Sequence, residues 1–221
     1  YHEQENGKRI QWHTLSVPRG GEYKLVLADG TRVWLNAASE LMYPDHFSAD
    51  QRKVVLKGEA YFEVTKDVKR PFSVVLGDME VKVLGTSFNV SAYPGVKRQT
   101  TLIEGQVAVN WHRQQVVIRP GQQAAETDEG LRVASVNVMN YVGWKEHRFV
   151  YENKLLGEVL EDLERWYDVS FFFAGESLKI KRFSGSIPKY SDLSKVLKML
   201  ELTTNIRFKK TDKTVVVEMI Q

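Results

Sequence analysis

The chain contains no cysteine, which excludes disulfides, thiolate metal sites and a cysteine nucleophile. That absence suits an oxidising compartment without requiring one. Long apolar runs are also missing. Stretches such as Val54–Leu56 and Phe171–Ala174 are among the longest, far below the roughly 20 residues of a membrane helix, and no signal peptide is recognisable. An excess of one charge is absent: 31 Lys and Arg stand against 28 Asp and Glu, a net +3, with the cations scattered among acids. A nucleic-acid partner, which calls for a basic stripe, is therefore not expected. Phosphate-binding glycine loops are missing, since Gly20-Gly21 precedes a strand pattern. The five histidines, His2, His13, His46, His112 and His147, are widely spaced with no H-x-H or H-x-x-x-H pair, so neither metal nor cofactor is expected.

What is present suits a soluble globular protein. The 221 residues suffice for one large or two ordinary domains, and 43% of them are hydrophobic and 27% charged. Residues 1–19 open with the polar "YHEQENGKRIQWH" and are taken as a lead-in, consistent with a fragment whose N-terminal part has been removed.

From about Leu15 to Val138 the hydrophobic period is two. Short alternating runs are separated by turn residues, which predicts an all-β domain over 20–140. "YKLVLADGTRVWL" predicts a hairpin with a two-residue Asp29-Gly30 turn, "FSVVLGDMEVKVLG" one at Gly77-Asp78, and "AETDEGLRVASV" one around Glu129-Gly130. "SFNVSAY" alternates Phe88, Val90 and Ala92 against Asn89, Ser91 and Tyr93. Pro71, Pro94 and Pro120 fall between strands.

Beyond a boundary between Val138 and Trp144 the period changes. Leu156, Val159, Leu160, Leu163 and Tyr167 follow helical spacing. "LGEVLEDL" at Leu156 recurs as "LSKVLKML" at Leu193, 37 positions later, and the same offset carries Val169 and Phe171 onto Ile206 and Phe208. Residues 144–221 are therefore expected to be a small α+β domain built from two βαβ repeats. "HRFVYEN" and "RFSGSIP" lead into the helices, Ser191 or Asp192 caps the second, and "TVVVEM" closes one sheet with both helices on one face. The fold class is thus a mainly β N-terminal domain, a rolled or solenoid-like β-sandwich, plus this α+β C-terminal domain.

Candidate chemistry is thin. "GEAYFEV" places Glu59 and Glu63 four apart around Tyr61 and Phe62. On a strand such a pair shares a face at roughly 13 Å, too far for the roughly 5–9.5 Å of glycosidase carboxylates. The opposite face, Ala60, Phe62 and Val64, has a core pattern. A solvated face is the expected role, with ion pairing to Arg52, Lys66 or Arg70 as an alternative. "GTSFN", Gly85 to Asn89, lacks the last glycine of a nucleophile elbow and leads into a strand rather than a helix. "NVS" at Asn89 is a glycosylation sequon. Trp166 and Tyr167 of "RWYD" are expected to pack at a helix end. No catalytic residue is assigned.

"LADGTRVWLNAASELMYP", "GEAYFEVTKDVKRPFSV", "VLGTSFNVSAY" and "LIEGQVAV", followed by "PGQQA", resemble in order the FecR-type domain of bacterial anti-sigma factors. "FVYENKLLGEVLEDLERWYDVSFFF" through "RFSGSI" to "VVVEM" resembles the companion domain of Bacteroidetes members, which is similar to the secretin/TonB short N-terminal signalling domain. The resemblance covers residues 20 to 221. It implies the periplasmic sensor of a single-pass inner-membrane regulator that binds the signalling domain of a TonB-dependent outer-membrane transducer. It further implies that a sigma factor is held by a cytoplasmic segment absent from this chain, and that a site-2-type protease pathway acts on the parent protein. A non-catalytic carbohydrate-binding β-domain of the cell envelope is the alternative, resting on Trp12, Trp34, Trp111, Trp144 and Trp166. A structural oligomerisation module is a third.

Alternation places Val169, Phe171 and Phe173 under the helices and Phe172 on the opposite face. The repeat aligns Phe172 with Lys209, a poor core residue. Val216, between Val215 and Val217, is expected to share that face, so Phe172 and Val216 are the expected partner-binding residues. The same face could instead pack on the β-domain, or a partner could add a strand to the sheet edge.

Overall fold

The computed structural model describes residues 4–5 and 8–220. His2 and most of the polar opening lie outside the described residues. The chain is mainly β, with 51% strand and 16% helix, and divides into two compact units, Tyr1–Tyr141 and Val142–Gln221.

The first unit begins with a short ribbon, β1 (Gln4–Glu5) and β2 (Lys8–Arg9). Its main sheet contains β3 (Trp12–Val17), β4 (Tyr23–Val26), β5 (Arg32–Leu35), β6 (Ser39–Pro44), β7 (Arg52–Glu63), β8 (Phe72–Leu76), β9 (Met79–Val83), β10 (Ser87–Ala92), β11 (Gln99–Glu104), β12 (Val107–Trp111), β13 (Gln114–Ile118), β14 (Gln122–Thr127) and β15 (Gly130–Ser135). The main path runs β13-β12-β9-β8-β7-β10-β11-β14-β15. The two ends of the path approach each other where the Leu131 N–H donates to Gln114 Oε1 at 2.7 Å, so the sheet is nearly closed.

Strand β7 organises this curl. Its first half pairs with β6 and in parallel with β8, and its second half pairs with β5 and β10. The change occurs around Gly58, at φ +94°, where an added Cβ would stand 2.7 Å from the Ser39 Cα. Only glycine combines that conformation with that approach. Alternation along β7 buries Arg52, Val54, Leu56, Ala60 and Phe62 while Lys53 and Lys57 face water. Each fully buried Val, Leu or Phe contributes about 1.5–3 kcal/mol. Phe62 stacks on Phe88 at 5.2 Å in the centre of the core.

Three expectations need correction here. The Asp29-Gly30 hairpin has a three-residue loop, since Gly30 N–H donates to the Leu27 carbonyl and Leu27 N–H to that of Thr31. Asp29 accepts from the Thr31 N–H and hydroxyl and so rigidifies the longer loop. The third turn centres on Asp128-Glu129, because Thr127 pairs with Gly130. Residues 12–17, taken as lead-in, pair along their whole length with β6.

The second unit contains β16 (Arg148–Leu155), α2 (Leu156–Tyr167), β17 (Ser170–Phe173), β18 (Arg182–Pro188), α3 (Leu193–Thr203), β19 (Ile206–Thr211) and β20 (Thr214–Met219), while a short helix α1 (Met139–Val142) and a 3-10 turn (Gly143–Glu146) precede them. Both helices bury the repeated positions, Leu156, Val159, Leu160 and Leu163 on α2, and Leu193, Val196, Leu197 and Leu200 on α3. Helix α2 stops at Asp168, whose φ of 51° turns the chain out of helical geometry. Asp192 caps α3 by accepting from the Ser194 N–H at 2.8 Å, whereas the Ser191 carbonyl accepts from Tyr167.

The repeat is real, but the expected single sheet is not what it builds. β16 pairs with β18 in a two-stranded sheet, and β17-β20-β19 form a separate three-stranded one. Each repeat sends its first strand to one sheet and its second to the other. Helix α2 packs on strands of both.

Candidate interaction site

The carboxylates of "GEAYFEV" are committed to structure. Glu59 accepts from Asn36 Nδ2 at 2.7 Å and from Asn89 Nδ2 at 2.9 Å, while its own N–H donates to Ser39 Oγ at 2.8 Å. The Asn36 side chain in turn accepts from the Ala37 N–H, and Tyr93 Oη donates to the Ala37 carbonyl. Glu59 thus clamps the β5–β6 connection to β10. The solvated-face expectation is therefore corrected. Tyr61, between the two acids, is buried and meets the Trp34 ring edge-on at 5.6 Å. Glu63 pairs with Arg32. Arg52 is bound instead to Asp29, and Arg70 to Asp67.

The remaining sequence candidates lie apart. Ser87 opens strand β10, and Asn89 is 2% exposed with its amide nitrogen on Glu59, so its sequon is inaccessible in the folded chain. Among the described residues no three His, Cys, Asp or Glu side chains gather as a metal cluster. The tryptophans do not form one platform. Trp12 borders a groove of about 460 Å³ with Met42, Phe47 and Val55, and Trp111 donates to Asp78 at 3.0 Å. Trp144 and Trp166 enclose the fully buried Lys189, whose ammonium lies 5.1 and 4.1 Å from their rings. Trp166 also packs on Phe149, and its indole donates to the Lys189 carbonyl at 2.5 Å. Burial, aided by the nearby Asp192 charge, pushes the Tyr167 hydroxyl up to about 12.

The sheet β17-β20-β19 carries the feature of most interest. Its helix-facing side buries Phe171, Ile206, Val215 and Val217. On the outer side Phe172, Val216 and Lys209 form one cross-strand row. Phe172 is opposite Val216 on the parallel neighbour, and Lys209 is opposite Val216 on the antiparallel one. Phe172 is 57% exposed and Val216 36%. Lys209 reaches Glu218 at 2.7 Å, while Arg207, on the same face, stands opposite Glu218 in the register and lies near enough to Glu201 to help lower its carboxyl. The result is a small apolar centre with a charged margin of Arg207, Lys209 and Glu218.

One pair of residues escaped the sequence reading. The Phe171 N–H donates to Glu164 Oε1 at 2.6 Å, and the Phe208 N–H donates to Glu201 Oε1 at 2.9 Å. Glu164 and Glu201 are also 37 positions apart and directly follow the repeated L-x-x-V-L-x-x-L. Extending the alignment by one residue would have found them. The Phe208 N–H holds the Glu201 carboxyl below the usual carboxylate range.

With this geometry in view, the similarity to known proteins is informative. The family profile described as "FecR protein" matches residues 13–108, and that described as "FecR, C-terminal" matches residues 148–217. The chain belongs to the FecR family. Two crystal structures of a protein from Parabacteroides distasonis ATCC 8503 described as an anti-sigma factor superpose with a TM-score of 0.88 at 28% identity. They cover 95% and 96% of this chain and 100% of their own. No curated protein matches the chain. FecR-family membership and this neighbour make the chain a signalling region of the anti-sigma-factor type. The Glu59 clamp lies inside the "FecR protein" match, and Phe172, Val216 and both repeat glutamates lie inside the "FecR, C-terminal" match. No helix among the described residues is long and apolar enough to cross a membrane.

Proposed function

We propose that this FecR-family chain is the periplasmic signal-relay region of a single-pass inner-membrane anti-sigma factor, and that it binds the signalling domain of a TonB-dependent outer-membrane transducer. The observation that carries this reading is the exposed Phe172–Val216 pair at the centre of the outer sheet face. Grouped exposed apolar side chains with a polar margin are what a protein interface requires. The parent protein would hold its sigma factor through a cytoplasmic segment. Docking of the transducer would change how a site-2-type protease pathway processes the parent and so release the sigma factor. The chain acts here by binding and catalyses nothing, and Glu59 and Glu63 serve the fold.

The test is calorimetric titration of the chain with the isolated signalling domain of a TonB-dependent receptor from the same organism. Saturable binding that weakens with Phe172→Ser and Val216→Ser supports the reading. Absence of binding, together with a saturable glycan ligand, would replace it with carbohydrate recognition.

A further inference from the structure

We infer that Glu164 and Glu201 close the two edges of the β17-β20-β19 sheet to strand addition, so that a protein partner engages its outer face. This rests on the relay reading above for the identity of the partner, though not for the edge closure itself.

The direction of the backbone groups carries the argument. The Ser170 N–H donates to the Lys213 carbonyl and the Ala174 N–H to that of Val217. Residues 170, 172 and 174 therefore turn their amides toward β20, and alternation turns those of Phe171 and Phe173 to the open edge. On the opposite edge the Ile220 N–H donates to the Asn205 carbonyl. This fixes residue 205 as facing β20 and leaves Phe208 facing outward. The two glutamates thus bind an outward amide on each edge strand, at the same seven-residue separation.

Strand addition requires an incoming carbonyl at each outward amide. A carboxylate already there fills the position and repels the carbonyl dipole. Strand β17 has only four residues, so Glu164 takes one of its two outward amides. Charged side chains at sheet edges commonly have this protective effect, but here the same device occurs on both edges from equivalent helix positions.

With the edges closed, the outer face remains. Its apolar centre of Phe172 and Val216 is flanked by Lys209 beside Glu218 and by Arg207, which stands opposite Glu218 and near Glu201. The partner surface this fits is apolar at its centre, with a rim of both charges to meet Arg207, Lys209 and Glu218.

The test uses the full chain. Amide exchange is measured at Phe171 and Phe208 in wild type, Glu164→Ala, Glu201→Ala and the corresponding Gln variants. Exchange should quicken at the matching amide in each Ala variant and stay slow in the Gln variants, which keep an acceptor oxygen. The double Ala variant should also self-associate in light scattering. Unchanged exchange in the Ala variants would overturn edge closure. In the calorimetric assay with the receptor signalling domain, Phe172→Ser should weaken binding by roughly 30-fold. Glu164→Ala and Glu201→Ala should leave affinity within about twofold. Tighter binding by either Ala variant, with Phe172→Ser neutral, would show that the partner enters by an edge. If wild type binds no receptor domain, the relay reading fails, while the exchange and scattering results still decide edge closure.

Discussion

Asp29 and Arg52 form a buried ion pair, Oδ2 to Nη1 at 2.8 Å, with side chains 6% and 1% exposed. Arg52 also donates to the carbonyls of Arg70 and Thr65 at 2.9 and 2.8 Å. One guanidinium thereby ties the start of β7 to the β4–β5 loop and to the segment leading into β8. Asp29→Ala leaves that cation buried without its counter-charge. Such a loss costs about 3–5 kcal/mol, which should appear as a lower urea midpoint with an unchanged m-value. A shift under about 0.5 kcal/mol, ordinary for surface changes, would mean that the backbone carbonyls suffice.

Glu59→Ala should destabilise by about 2–4 kcal/mol, because it removes the acceptor for two amide donors, one of them on the buried Asn89. Asn89→Ala combined with Glu59→Ala should cost less than the sum of the two single changes, since each removes the other's partner. Equilibrium unfolding of the four proteins in the cycle checks this, and strict additivity would contradict the clamp.

Gly58→Ala should cost more than about 2 kcal/mol. The position combines φ +94° with a Cβ that would press on the Ser39 backbone. Gly95 has a positive φ but open space around the missing Cβ, so Gly95→Ala serves as the control and should cost roughly 1 kcal/mol. Equal losses in thermal denaturation would mean that crowding at Ser39 contributes nothing.

Acid should weaken the fold in a definite window. The Arg98 guanidinium holds Glu126 below the usual carboxylate range, and the Phe208 N–H does the same for Glu201. A folded value below the unfolded one gives stability that is complete above the unfolded pKa, about 4.3. It is lost as pH falls through the lower folded value. Urea midpoints measured from pH 6 down to pH 3 should therefore decline most steeply below about pH 4.3. The Glu126→Gln, Glu201→Gln double variant should have a shallower decline. An identical acid limb would exclude these two groups as its source.

The two-unit division predicts that a chain of residues 142–221 folds alone, since both helices bury their repeated leucines within it. Its core is thin for its length, so its melting temperature should fall below that of the whole chain while the transition stays cooperative by circular dichroism. A non-cooperative melt would show that the unit depends on the rest of the protein.

Local pattern was enough to place Phe172 on an outer face, because its neighbours Phe171 and Phe173 and its repeat counterpart Lys209 all restrict it. The same patterns located both helices, their buried leucines and the Asp192 cap, and four ordered motifs indicated the family. These features depend on residues within a turn or two of one another, or on a repeat visible along the chain. The roles of Glu59 and Arg52 were not legible. Their partners Asn36, Asn89 and Asp29 lie 23 to 30 residues away and are chosen by how β7 bends at Gly58. The division of the second unit into two sheets was hidden for a related reason. Alternation fixes which face of a strand is apolar but not which strand lies beside it, and that choice belongs to contacts between distant segments. The tertiary structure therefore decided that β17 and β19 flank β20, setting Val216 between Phe172 and Lys209.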